Sequence, residues 1–301
     1  MGASPLLDLD QVGMYATAHT DARGAVPTML FEIGFLRIAT VLVLVACGTS
    51  ARADELVEIA PHRAASALEA PAKTPPLFGY LARPDLPGRL PAVVVLHWCS
   101  GFGVHDVTAV ARFRSWGYVA LAPDSLGTAN LCERGSGGAA EALDAYAALH
   151  WLAAHDFVDP DQVAVIGYSM GGGAVLAATE RGSLERIYQA HFRAAVAYYP
   201  PCQGSNGVMT IPTLILIGER DDWTLADACR KLASHESDIG VTRVADGAPV
   251  QLVVYPGAVH AFDSPGQPHT YLGHAIAYDA EAANDAATRV RAFLDDVLHR
   301  Q

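Results

Sequence analysis

Charge is scarce in this sequence and lopsided where it occurs: 17% of the 301 residues are Asp, Glu, Lys or Arg, and 20 basic against 32 acidic side chains leave a net charge of −12. Lysines and arginines do not cluster anywhere, which removes the footprint that a nucleic-acid backbone requires of its partner. Metal and phosphate signatures are missing too. There is no His-Glu-x-x-His and no paired Cys-x-x-Cys, and Gly171–Gly173 lack the lysine of a phosphate loop, so neither metal nor cofactor is implied. A membrane-crossing helix needs roughly 20 apolar residues, and the run Ile38–Cys47 is about half that length, so no span is expected. Internal repeats and low-complexity segments are also absent.

What is present begins at the N-terminus. Residues 1–28 lack periodicity, and the charges ahead of Arg23 (Asp8, Asp10, Asp21) are all negative, as in a disordered or unused upstream start. Over 29–53, Arg37 precedes the apolar run, small residues follow, and Ala51-Arg52-Ala53 stands before Asp54: the pattern of a secretory signal peptide cleaved after Ala53. Leu44-Val45-Ala46-Cys47 offers an alternative, a lipobox that would leave Cys47 acylated as a lipid anchor. Without residues 1–53 the chain keeps 17 basic and 28 acidic residues, so the acidity belongs to the folded part.

The remaining 54–301 are read as one domain, since 51% of the chain is hydrophobic and no boundary interrupts it. Four cysteines stay after cleavage, an even number that suits an exported chain with disulfides, although buried thiols are the alternative. The expected pairs are Cys99 with Cys132 and Cys202 with Cys229, each cysteine lying just past a predicted strand on one edge of the sheet.

Short continuous apolar runs at Ala92–Leu96, Tyr118–Ala122, Val163–Ile166, Ala194–Tyr199, Thr213–Ile217 and Val250–Tyr255 read as strands covered on both faces. Helical segments separate them, at Asp106–Trp116, Ala139–His155, Gly172–Arg181, Leu225–His235 and Tyr278–Leu298. Such alternation predicts an α/β fold, a mostly parallel doubly wound sheet with helices on both faces, with Phe78–Ala82 as an antiparallel edge strand. In such a sheet the site lies beyond the carboxyl ends of the strands.

The residues there carry chemistry. Val163–Ala174, VAVIGYSMGGGA, is a strand, a sharp turn and a helix start with one hydroxyl at its apex. Gly167 and Gly171 flank Ser169 by two residues on each side, the spacing of a nucleophile elbow; a serine between glycines is otherwise a simple turn. Past the strand at Thr213 comes Gly218-Glu219-Arg220-Asp221-Asp222-Trp223-Thr224. Asp221 is read as the acid that orients an imidazole, and Asp222 as a helix cap or a solvated side chain. Past the last strand comes His260. Ser169, Asp221 and His260 thus follow three separate strands in the order of an α/β-hydrolase triad. Backbone N–H groups of Cys99 and Met170 are the expected oxyanion donors, whereas His97 reads as a structural histidine. Trp98, Trp223 and Phe262 hint at an apolar pocket, with walls expected from Ser125–Gly138 and Pro200–Val208.

On Gly167–Gly172, on Gly218 with Asp221–Thr224, and above all on Tyr255-Pro256-Gly257-Ala258-Val259-His260-Ala261-Phe262, the sequence resembles the dienelactone hydrolase family from Leu77 to Leu298. The resemblance implies metal-free cleavage of small carboxylic esters or lactones through a Ser-His-Asp triad and an acyl-enzyme. A peptidase or acyltransferase with the same triad, or a non-catalytic binding protein on the same fold, are the other readings. Two departures point away from dienelactone itself: Ser169 stands where the dienelactone-cleaving members use cysteine, and the His97-Trp98-Cys99 loop lacks their glutamate. Leu225 also replaces a proline common four residues after the acid.

Overall fold

The computed structural model describes residues 54–60, 76–125, 127, 130–133, 138–182, 184–234 and 247–298. The expected upstream start (1–28), signal peptide (29–53) and Cys47 lie outside the described residues, as does much of the stretch between Ser125 and Gly138. The sheet strands are β1 (Glu55–Ile59), β2 (Leu77–Ala82), β3 (Leu90–Leu96), β4 (Val119–Pro123), β5 (Val158–Tyr168), β6 (Ala194–Tyr198), β7 (Thr213–Gly218) and β8 (Val250–Tyr255). Helices α1 (Val104–Ser115), α2 (Gly138–Ala153), α3 (Met170–Thr179), α4 (Ala226–Ala233) and α5 (Ala280–Leu298) run between or after them. A two-stranded ribbon, β9 (His269–Tyr271) and β10 (His274–Ile276), precedes α5.

Strand order is β1-β2-β4-β3-β5-β6-β7-β8. The β1–β2 and β2–β4 pairs are antiparallel and every later pair is parallel. The expected doubly wound sheet is therefore present, and the Phe78–Ala82 strand is antiparallel as expected, but it is not the edge: β2 lies between β1 and β4, and β1 forms the antiparallel edge. The continuous apolar runs explain its interior: β4, β6 and β7 are buried at every position, which requires cover on both faces. Helices α2 and α3 pack together through the Tyr146 hydroxyl donating to the Ala178 carbonyl at 2.8 Å. Helices α1 and α5 meet where Arg291 lies over Trp116 and Tyr118, just past α1, donates to Asp295. Helix α5 buries Ala282, Ala286, Val290, Phe293, Leu294 and Leu298, one stripe at a spacing of three to four.

Two elements were not legible in the sequence. β1 has Glu55 and Glu58 within it and leaves Leu56 76% exposed, so neither alternation nor a buried run announces it. The β9–β10 ribbon turns at Leu272-Gly273, both with positive φ (51° and 90°), the geometry of a tight hairpin turn in which Leu replaces the usual Asn or Asp. Helix α5 starts two residues later than the expected Tyr278, because the Asp279 carboxylate accepts the N–H groups of Glu281 and Ala282 and caps the first turn.

Register determines where the site lies. Leu96 pairs with Gly167, Tyr168 with Tyr198, Tyr198 with Leu216, and Gly218 with Tyr255. The carboxyl ends of five strands therefore share one edge, and the segments that follow them emerge side by side.

Candidate active site

Ser169 stands at the tip of β5 with φ of 52°, a backbone conformation that non-glycine residues avoid at a cost of roughly 1–3 kcal/mol. Its N–H donates to the Tyr198 carbonyl at 2.9 Å and its carbonyl accepts the Gly173 N–H at 3.0 Å, which holds the turn. The glycines on either side are steric necessities. A Cβ at Gly167 would sit 2.1 Å from the Gly171 carbonyl oxygen, and one at Gly171 would sit 2.5 Å from that of His97. The elbow is thus pressed against the end of β3.

His260 closes on the serine. Its Nε2 lies 2.9 Å from Ser169 Oγ and its Nδ1 lies 2.8 Å from Asp221 Oδ2. A carboxylate only accepts, so Nδ1 carries the proton and Nε2 accepts from the hydroxyl. All three groups are nearly enclosed, Ser169 at 6%, Asp221 at 4% and His260 at 3% exposure. Asp221 also accepts the N–H groups of Trp223 at 3.0 Å and Thr224 at 2.8 Å, and the Thr224 hydroxyl lies 3.0 Å from its other oxygen. Asp222 does not cap α4. It is exposed and accepts the Ala275 N–H of the β9–β10 ribbon at 3.2 Å, with His274 Nδ1 3.4 Å away.

Sequence reasoning missed Thr224, Tyr199 and a second histidine–aspartate pair. Thr224 has a local signal, an Asp-x-x-Thr spacing that lets the carboxylate bond forward along the chain. Tyr199 has none. Its carbonyl faces the Thr224 hydroxyl at 3.0 Å, its ring edge packs on His260, and its hydroxyl donates to Asp263 at 2.7 Å. Asp263 Oδ2 in turn faces His105 Nε2 at 3.5 Å, and Asp106 stands 3.9 Å from His105 Nδ1. Burial by itself would lower the His105 pKa, but the Asp106 and Asp263 carboxylates outweigh it and raise the imidazole to about 9. Burial pushes the Asp263 carboxyl up, and the His105 cation and the Tyr199 hydroxyl more than reverse that, holding it below the ordinary value.

The side that carries the expected oxyanion donors is built from β3 onward. His97 is buried and its Nδ1–H donates to the Trp98 carbonyl at 2.8 Å, while its Nε2 accepts the Ser125 N–H at 3.2 Å. Beneath it Glu141 Oε1 is 3.4 Å from Nδ1. Burial, then Asp106 and Asp144, push the Glu141 carboxyl well above the ordinary range. Cys99 and Ser169 line one cavity of about 310 Å³. Met170 opens α3, where the first N–H groups have no partner within the helix. Cys99 is bonded to Cys132 and Cys202 to Cys229. Cys229 sits within α4 and not in a loop.

Two expectations about the cavity need correction. Its far wall comes from Ser264–Gln267, His269, Tyr271 and Ile276–Tyr278; no residue of Pro200–Val208 lines it, and of the described residues between Ser125 and Gly138 Cys132 does. Trp98 and Trp223 face it, but Phe262 is fully buried against Tyr198, Tyr199 and Tyr255 and serves the core. The ribbon's short strands carry no sequence signal, which is why its share of the wall, His269, Tyr271 and Ile276, is not expected from the sequence.

Residues 77–298 match the family model described as "Dienelactone hydrolase family". A protein of Bradyrhizobium sp. named "Probable 2-oxo-3-(5-oxofuran-2-ylidene)propanoate lactonase" is 26% identical over 217 residues, 62% of this chain and 78% of its own. Among solved structures, the dienelactone hydrolase-like promiscuous phosphotriesterase P91 from metagenomic libraries superposes with a TM-score of 0.62 at 22% identity, covering 81% of this chain and 99% of its own. A thermophilic esterase of Thermogutta terrifontis, Est2, does so with a TM-score of 0.57 at 16% identity, covering 81% and 92%. The two structures share the fold of this chain.

Proposed function

The chain belongs to the dienelactone hydrolase family of ester-bond hydrolases, and on that premise we propose that it is a serine hydrolase of carboxylic esters or lactones that works through an acyl-enzyme. The observation that carries this reading is the unbroken hydrogen-bonded series from Asp221 through His260 to Ser169 at the wall of the cavity. Ser169 Oγ attacks the carbonyl carbon as its proton passes to His260 Nε2. Asp221, held by Trp223 and Thr224, keeps the imidazole in the required tautomer and stabilises it once charged. The developing oxyanion is taken by the N–H groups of Cys99 and Met170. His260 then returns the proton to the leaving alkoxide, and a water activated by the same nitrogen releases the acid.

The cavity favours compact apolar or aryl groups, since the rings of Trp98, Trp223, Tyr271 and Tyr278 face it. The two disulfides agree with an oxidising compartment, and no helix among the described residues is long and apolar enough to cross a membrane. Export through a signal peptide at 29–53, with 54–301 as one domain, completes the proposal; the mass of the mature N-terminus tests it. For the chemistry, a fluorophosphonate probe should label Ser169 in the wild type and nothing in Ser169→Ala. Undiminished p-nitrophenyl ester hydrolysis by Ser169→Ala would remove the serine from its role.

A further inference from the structure

The two disulfides differ in what surrounds them. Cys202 and Cys229 are buried at 3% and 0% exposure and face no cavity among those described. Cys99 and Cys132 are half-buried, and both line the cavity that Ser169 and His260 line. A bond in that place can do more than cross-link a loop, because one of its ends belongs to Cys99, whose N–H is a proposed oxyanion donor.

Cys99 is clamped on several sides. The carbonyl of the Trp98–Cys99 peptide accepts from His97 Nδ1 at 2.8 Å and from the Gly101 N–H at 3.1 Å. In a trans peptide the N–H points opposite to the carbonyl, so these two donors turn the Cys99 N–H away from themselves. The Cys99 carbonyl accepts the Leu131 N–H at 2.8 Å, and its sulfur is bonded to Cys132. The partner segment is anchored in turn, with Asn130 Oδ1 accepting the Cys132 N–H at 3.0 Å and Asn130 Nδ2 donating to the Tyr271 hydroxyl of the ribbon at 3.1 Å. Behind the peptide His97 is buried; beside it, every tie except the disulfide is a hydrogen bond in a part-exposed loop, where water competes.

We infer that the Cys99–Cys132 disulfide is a positioning device of the reaction: it holds the Cys99 N–H at the oxyanion, so turnover depends on the oxidation state of this one bond. The inference rests on the serine-hydrolase reading of the same cavity. Cys132 touches no reacting atom and acts through Cys99. Opening the bond leaves the triad intact, so substrate binds as before while the transition state loses a fixed donor. Reduction by a phosphine is balanced by water: the S–S bond breaks, each sulfur takes up a proton as a thiol, and the phosphine leaves as its oxide.

The test uses the full chain. Native enzyme is treated with tris(2-carboxyethyl)phosphine without denaturant and desalted, and the new thiols are mapped by alkylation and mass spectrometry. Alkylation at Cys99 and Cys132, with Cys202 and Cys229 still bonded, should accompany a loss in kcat of roughly 10- to 100-fold while KM stays within about twofold. Affinity for a boronic acid, which mimics the tetrahedral oxyanion, should fall in parallel, and reoxidation with oxidised glutathione should restore both. Cys132→Ser should show the reduced enzyme's kcat and KM from the start and no response to phosphine. An unchanged kcat in Cys132→Ser or in the reduced enzyme, or a loss confined to KM, would overturn the inference. Failure of the parent reading is separate: a fluorophosphonate that does not label Ser169 in the oxidised wild type defeats the hydrolase before any reduction is attempted.

Discussion

Two histidine–aspartate pairs lie within one loop's reach of each other, and they differ in what stands on the imidazole's far side. His260, paired with Asp221 at 2.8 Å, presents its other nitrogen to a serine hydroxyl and the cavity. His105 has Asp263 at 3.5 Å on one nitrogen and Asp106 at 3.9 Å from the other, with its ring stacked on Trp98 and edge-on to Tyr168. Flanked by two carboxylates, it is held toward its charged form. Flanked by one carboxylate and a hydroxyl, His260 is the imidazole to which the proposed mechanism assigns proton transfer. Asp263 and His260 share a loop, so the first pair anchors the backbone that the second works from.

The sharpest way to break this contrast is to delete each imidazole. His260→Ala should lower kcat on p-nitrophenyl acetate by about 10⁴-fold or more with the fold intact, while His105→Ala should keep most of the turnover and lose thermal stability. Next in size are the adjacent aspartates. Asp221→Asn should lower kcat by roughly 10³- to 10⁴-fold through the wrong imidazole tautomer, and Asp222→Asn should change it less than about threefold, because Asp222 is exposed and its partners among the described residues lie on the ribbon. Equal mild losses would reverse the assignment of the acid. Asp263→Asn should cost about 1 to 3 kcal/mol in urea unfolding, since it removes one of the two carboxylates beside a buried imidazole and leaves Asp106 as the remaining counter-charge.

A smaller effect follows from proton linkage at His105. Its folded pKa of about 9 lies above its ordinary 6.5, so its stabilisation is complete below pH 6.5 and is lost as pH rises through 9. That amounts to at most about 3 kcal/mol. Wild type should therefore lose stability relative to His105→Gln between those pH values, and parallel curves would show that the cation is absent. Smallest is Trp223→Ala, which removes a ring 5.1 Å from His260 at the cavity wall. KM for aryl esters should rise about fivefold with kcat little altered.

Much of the framework was legible because it is written locally. Short continuous runs rich in β-branched residues and bounded by turn signals read as covered strands, and a serine between Gly167 and Gly171 after such a run can only make a tight elbow if both neighbours lack a Cβ. The ribbon was illegible for an equally physical reason: three-residue strands that alternate with no buried face, joined by Leu272-Gly273, carry neither period nor turn signal. Misplacing the pocket wall followed from that omission. Tyr199 was illegible because its role depends on groups 25 and 64 residues away.

By itself the amino-acid order determined the sheet, the elbow and the succession of Ser169, Asp221 and His260 past three strand ends, since each depends on side chains adjacent in the chain. Only the tertiary structure decided which aspartate meets the imidazole, what lines the cavity and where the second pair sits. Those outcomes turn on hydrogen-bond distances between segments that no local propensity brings together, and strand register is what sets them.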